Sequence, residues 1–327
     1  MTPFRSLLLA SLTPVAAAFA AFPGTDRVDQ WNYKGCIELQ NPSTRVVLGH
    51  HRGGRVLVYA FEGHNALFLD PEEARWEPGS TKRVPVSAGR FDIGPEKVIP
   101  SRPTLWSGTW ESEIIGARAA RLTSPHDEAT GVQLVREFRL AETGSHLACT
   151  QIIRNTSNRR VEWCHWSRTF AEGQGICVIP LSAPSRFPKS YVMYEPGNLI
   201  NIAPRDPNIR IRAGFLEILG TPKYPKLGMD STVGWFAYQM KSNLLFIKKY
   251  PTYPERVYNE AAGLTISIWY PDGPMCELEP IGPRERLEPG EAAAFTEHWW
   301  LRPHPFPSPG TQLDLDTVRT LAESAKH

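Results

Sequence analysis

Beyond its first twenty residues the chain has no long apolar run, and a membrane-spanning helix needs ~18 such residues in succession, so none is expected there. Blocks of one charge sign are missing as well. The 36 lysines and arginines nearly cancel the 34 aspartates and glutamates, which removes the electrostatic case for nucleic acid or an acidic membrane surface as a partner. Cysteine is sparse, at Cys36, Cys149, Cys164, Cys177 and Cys276. At most two bridges can form from these, and spacing does not say which. The absence of a CxxC pair leaves zinc and redox chemistry without footing. There is no glycine-rich phosphate loop, nucleophile elbow or metal-spaced cluster, so nucleotide, acyl-transfer and metalloenzyme chemistry find no positive support and no cofactor is implied. A calcium ion held by loop carboxylates stays open. Helical periodicity is also nearly absent, and this sets the fold class.

The N-terminus reads as a secretory signal over residues 1–20: Arg5 supplies the positive charge, Ser6 to Phe19 the apolar run broken by Pro14, and Ala18-Phe19-Ala20 the small-x-small cleavage site. The mature protein is therefore expected in the periplasm or outside the cell, with an uncleaved anchor as the alternative. Thirty prolines and twenty-five glycines punctuate the rest, between short runs rich in β-branched and aromatic residues. That pattern predicts an all-β protein of many antiparallel strands. Examples are 35–41 with 45–48, 132–140 with 147–155, 234–240 with 244–250, and 264–270 followed across Asp272-Gly273 by an acidic strand. A helix is predicted only over 316–326. The long stretch 182–208 shows no clear period and reads as a binding loop or lid. With no internal repeat and no linker composition, residues 21–327 are expected to form one domain, its core at about 31–301 and a tail at 302–327.

Within Met275-Cys276-Glu277-Leu278-Glu279-Pro280, strand alternation puts Glu277 and Glu279 on one face and Cys276 and Leu278 on the other. The two Cβ atoms would lie roughly 6.5 to 7 Å apart, where at an effective dielectric near 20 two charges repel by about 2.4 kcal/mol. Such repulsion lifts one carboxyl toward the range of a useful general base. A solvated strand face carrying two acids has the same pattern. Trp269 shares the polar face of its strand with Thr265 and Ser267, so it falls beside Glu277 or Glu279 across the hairpin. Arg90 and Trp106 follow glycine or lie in loops, where indoles stack on sugar C–H faces and guanidinium forks satisfy hydroxyls. Packing explains a tryptophan equally well. In the run Val161 to Phe170, a regular strand would put His165 on one face and Arg168 on the other, so the two share a site only across a bulge. A lone histidine there is otherwise a hydrogen-bonded core residue.

Asp92-Ile93-Gly94-Pro95-Glu96, His165-Trp166-Ser167-Arg168-Thr169 and Glu277-Leu278-Glu279-Pro280, with Asp230 ahead of a Gly-Trp strand pair, resemble the galactose mutarotase-like superfamily, and in particular its exported DUF4380 family. The resemblance covers about Trp31 to Leu301. It implies a large antiparallel β-supersandwich that binds a carbohydrate. It further implies ring opening at the anomeric carbon by a glutamate base and a histidine acid: Glu277 or Glu279 as the base, His165 as the acid, and Arg90 and Asp230 on the sugar hydroxyls. One departure stands out, since the family's second histidine lies in a Leu-His-Gly-Gly-like turn and here that turn is Leu105-Trp106-Ser107-Gly108.

Three functions are then to be separated. An aldose mutarotase or epimerase needs His165 to meet the glutamate pair. A non-catalytic glycan-binding protein needs the tryptophans and not the histidine. A polysaccharide lyase or glycoside hydrolase ranks third, because an inverting hydrolase needs its two carboxyls on opposite sides of the scissile bond and these lie side by side on one strand.

Overall fold

The computed structural model describes residues 22–326, and the predicted signal segment lies outside the described residues. Two antiparallel sheets hold nearly all of the regular structure. The twelve-stranded sheet begins at an edge with Thr25–Gln30 and passes through Tyr33–Gln40, Thr44–Gly49 and Arg55–Phe61. It continues with Gly89–Gly94, Val161–Glu172, Met275–Leu287, Ile266–Trp269 and Lys226–Met229, and ends at Val192–Glu195 and Leu199–Asn201; His64–Asn65 pairs beside Arg55–Phe61. In the ten-stranded sheet, Ile209–Arg212 and Phe215–Ile218 lead through Ile176–Pro180, Trp235–Gln239 and Leu244–Lys249 to the long Ala292–Pro303 strand, with Leu147–Asn155, Val132–Leu140, Ala119–Thr123 and Glu111–Gly116 beyond it.

Alternation sends every second side chain into the space between the sheets. Phe91, Cys276 and Leu278 of the larger sheet meet Phe138, Phe246 and Trp299 of the smaller one in a shared core. Phe91 and Trp299 stack with ring centres 5.6 Å apart. All five cysteines are free and buried, and Cys177 and Cys276 face each other across the core with sulfurs 3.8 Å apart. A buried charge also spans the sheets. Lys248 Nζ donates to Ser167 Oγ and Thr169 Oγ1 at 2.9 Å and to the Leu278 carbonyl at 3.1 Å, and pairs with Glu297 at 3.0 Å.

The C-terminal helix runs Leu315–Ser324, capped by the Asp314 carboxylate accepting from the amides of Asp316 and Thr317. It is a docked element: Leu315, Val318 and Ala322 bury against Trp235 and Trp300 on the outer face of the smaller sheet. The 182–208 stretch contains two short strands, of which Leu199–Asn201 forms the edge of the larger sheet, and Leu105 and Trp106 sit in a short helix, Pro103–Ser107. Thr25–Gln30 and Glu111–Gly116 are edge strands that alternation does not reveal, because neither face of them is consistently buried. Among the described residues no helix is long and apolar enough to cross a membrane.

Candidate functional site

The outer face of the larger sheet carries what its inner face cannot. Since Cys276 and Leu278 enter the core, Glu277 and Glu279 point outward. Pairing then aligns rows of side chains. Phe170 is opposite Glu277, Glu277 opposite Trp269, and Trp269 opposite Lys226, a row across four neighbouring strands. Arg168 is opposite Arg90, and Glu279 is opposite Ser267.

Arg168 is the hub. Its Nε lies 3.2 Å from a carboxylate oxygen of both Glu277 and Glu279, and its other nitrogens reach Asp92 at 3.5 Å and Glu96 at 3.3 Å. Arg90 donates from Nη2 to Glu277 at 3.0 Å and from Nη1 to the Val86 carbonyl at 2.9 Å. Its guanidinium carbon sits 3.8 Å from the ring centre of Trp106 and 5.1 Å from that of Phe170. Lys226 grips Glu96 at 2.9 and 3.1 Å and stands 3.7 Å from Glu279. Arg102 holds Asp92 through both carboxylate oxygens.

These pairings separate the two acids. Burial alone would raise the Glu277 carboxyl, but Arg168, Arg90 and Lys226 outweigh it and hold the group below the ordinary glutamate range. Glu279 is fully buried, neither of its oxygens has a hydrogen-bond donor, and burial together with the Glu277 charge pushes it up to about 7. Side by side on one strand, one carboxyl is held as the anion and its neighbour stays protonated to near neutrality.

Above the row lies a cavity of about 520 Å³, a size usual for small-molecule sites. Trp106, Phe170 and Trp269 wall it, and its polar lining includes Arg90, Arg168, Lys226, Glu96, Glu277 and Asp70. Glu279 lies beneath it and does not line it. No imidazole lines this cavity among the described residues.

Six of the eight residues expected from the sequence thus converge: Glu277, Glu279, Arg90, Arg168, Trp106 and Trp269. Two do not. His165 points into the core, where Nε2 lies 3.3 Å from the Ala293 carbonyl and the ring stacks on Phe295 at 5.6 Å. The strand does carry a bulge relative to its acidic partner, between Cys164 and Trp166, but His165 keeps the inner side and Arg168 the outer. Its role as the acid is therefore corrected to packing, and burial drives the imidazole down to about 4. Asp230 is corrected as well, because its two oxygens accept from Ser185 Oγ at 2.8 Å and from the Arg186 amide at 2.7 Å. It anchors the 182–208 stretch and does not line the cavity. Trp110 is buried over Arg136, away from the cavity.

Sequence reasoning passed over Asp92, Glu96, Phe170 and Lys226. For Asp92 and Phe170 a signal existed: they stand two residues from Arg90 and Arg168, and therefore on the same face. Lys226 and Glu96 had none, since the first depends on pairing across the sheet and the second follows the strand end.

No family model matches the chain, and neither does any curated protein sequence. Solved structures do resemble it. The Slr1438 protein from Synechocystis sp. PCC 6803 superposes with a TM-score of 0.57 at 16% identity, covering 88% of this chain and all (100%) of that one. A galactose mutarotase related enzyme from Lactobacillus acidophilus gives 0.57 at 11% identity over 84% and 99%, and a galactose mutarotase-like protein from Lactobacillus casei ATCC 334 gives 0.55 at 10% over 82% and 100%. At such identities the likeness concerns the fold alone, and the fold is that of the galactose mutarotase-like β-sandwich.

Proposed function

We propose that this is an exported carbohydrate-binding protein of the DUF4380 branch, with residues 21–327 acting as one domain and the sugar seated between Trp106 and Trp269. The observation that carries this reading is the state of Glu277. It lines the cavity as an anion bound to two guanidiniums. A carboxylate so held is a poor proton acceptor at neutral pH but a well-oriented hydrogen-bond acceptor for hydroxyls. With His165 in the core, the glutamate–histidine division of labour has no acid partner at this cavity. The sandwich fold shared with mutarotase-related proteins supports a sugar as the ligand class.

The test is calorimetric titration of a saccharide panel into the wild type and Trp269→Ala. Binding that weakens about tenfold in the variant is expected from loss of one stacking platform. Failure of every saccharide to bind would sink the proposal. A second reading, anomerisation in which Glu277 meets the sugar and Glu279 behind it supplies and takes back the proton through Glu277, rests on Glu279 remaining protonated up to about 7 beside the Glu277 anion. It requires mutarotation faster than buffer by the wild type and its loss in Glu279→Gln, measured by polarimetry.

A further inference from the structure

The cavity above Glu277 does not stand alone. A second cavity, also about 520 Å³, adjoins it and shares two of its walls, Val86 and Trp106. Its polar lining includes Arg52, Arg83 and Arg102 and no acid. Taken together, the two cavities are lined by six cationic side chains (Arg52, Arg83, Arg90, Arg102, Arg168, Lys226) and three carboxylates (Asp70, Glu96, Glu277).

Carboxylates behind the lining do not restore the balance. Glu73 serves both Arg52 and Arg55, Asp92 serves both Arg102 and Arg168, and Glu279, protonated up to about 7, stands near both Arg168 and Lys226, so each acid answers two cations. Two donors are also left over. Arg90 is 5% exposed and its Nε has no acceptor, while Arg83 is exposed and makes no hydrogen bond or ion pair. A chain that is close to neutral overall has gathered excess positive charge around the cleft formed by these two adjoining cavities. That arrangement stabilises a bound anion and repels a cation.

We infer that the cleft takes an acidic saccharide at least two residues long, one ring in the Glu277 cavity and the next across Trp106, its carboxylate or sulfate group held by Arg83. The inference rests on the carbohydrate reading above and adds ligand length and charge to it. Arg83 supplies the fork suited to a planar or tetrahedral oxyanion, and Trp106 is the shared wall over which the chain bends from one ring to the next.

The experiment titrates the full chain at low salt with uronate oligomers, with sulfated oligosaccharides, and with neutral oligosaccharides of matching length, each alongside its monosaccharide. An acidic oligomer is expected to bind about tenfold more tightly than its neutral counterpart, with the advantage shrinking as salt screens the charges. Whichever acidic series binds more tightly identifies the anionic group. Arg83→Ala removes an exposed side chain without fold contacts; it should cost about fivefold against the acidic series and leave the neutral one unchanged. Equal affinity for acidic and neutral oligomers, an acidic monosaccharide binding as tightly as its oligomer, or Arg83→Ala indistinguishable from wild type would each overturn this inference. In those cases neutral binding would leave the carbohydrate reading standing, whereas absence of all binding would remove both.

Discussion

At the scale of single residues the site works by giving two identical side chains different surroundings. Glu277 and Glu279 are both buried, but Arg90 bonds only the first, and Arg168 donates a hydrogen bond to the first alone while standing equally near the second. The consequence is a defined pH dependence. In the unfolded chain Glu279 loses its proton near the ordinary 4.5, and in the folded protein only at about 7. Across that window the folded state binds more protons than the unfolded one, so this group makes stability fall as pH rises, and its effect levels off above the window. Urea unfolding of Glu279→Gln should therefore show stability rising relative to wild type between the two values and then holding constant; parallel profiles would mean that the group titrates normally. His165 acts with the opposite sign. Its folded value of about 4 lies below the ordinary 6.5, so the unfolded imidazole takes up a proton that the folded one refuses, and stability falls as pH drops through that interval. His165→Gln should flatten this acid limb.

At the scale of elements, the cavity wall is the segment 71–88, whose residues 71–82, polar with proline and glycine, read as loop in the sequence. Residues 71–88 hold one turn of helix, Pro71–Ala74, with Asp70 capping the Glu72 amide. Nothing about Glu73 in a polar loop marks it as buried, yet it is fully enclosed. It accepts from Arg52 at 2.9 Å, from Arg55, and from the Ser87 amide and hydroxyl at 2.8 and 2.7 Å, which ties the segment to the Arg55–Phe61 strand of the larger sheet and the loop before it, and the Val86 carbonyl accepts from Arg90. Truncating one member of a buried ion pair leaves the others uncompensated, a loss of about 3–5 kcal/mol. Glu73→Ala should lose stability of that order in denaturant melts, with faster amide exchange across 71–88 and weaker saccharide binding. An unchanged melting profile would show that the wall is held by something else.

Across the whole molecule, the acidic strand is braced from behind. Lys248 donates to the Leu278 carbonyl from the opposite sheet, directly between the two outward glutamates in sequence, and its charge is met by Glu297, which also accepts from Gln151 and Trp299 at 2.9 and 3.0 Å. Lys248→Met should cost about 3–5 kcal/mol by stranding the Glu297 charge. Adding Glu297→Gln removes that stranded charge and should recover most of the loss; a double-mutant cycle that is simply additive would argue against the coupling. The amino-acid sequence by itself determined the all-β class, most strand positions, and the faces of Glu277, Glu279, Arg168 and Trp269, because alternation with a period of two is a local property written along each strand. It also determined that Trp269 stands beside the acidic pair, since a tight hairpin sets register across only a few residues. Only the tertiary structure decided that His165 belongs to the core, that Asp230 anchors a loop, and that Lys226, Glu96 and Glu73 join the cluster. Those assignments depend on which strands become neighbours and which face is covered by the second sheet, and long-range pairing of that kind leaves no periodic trace in the chain.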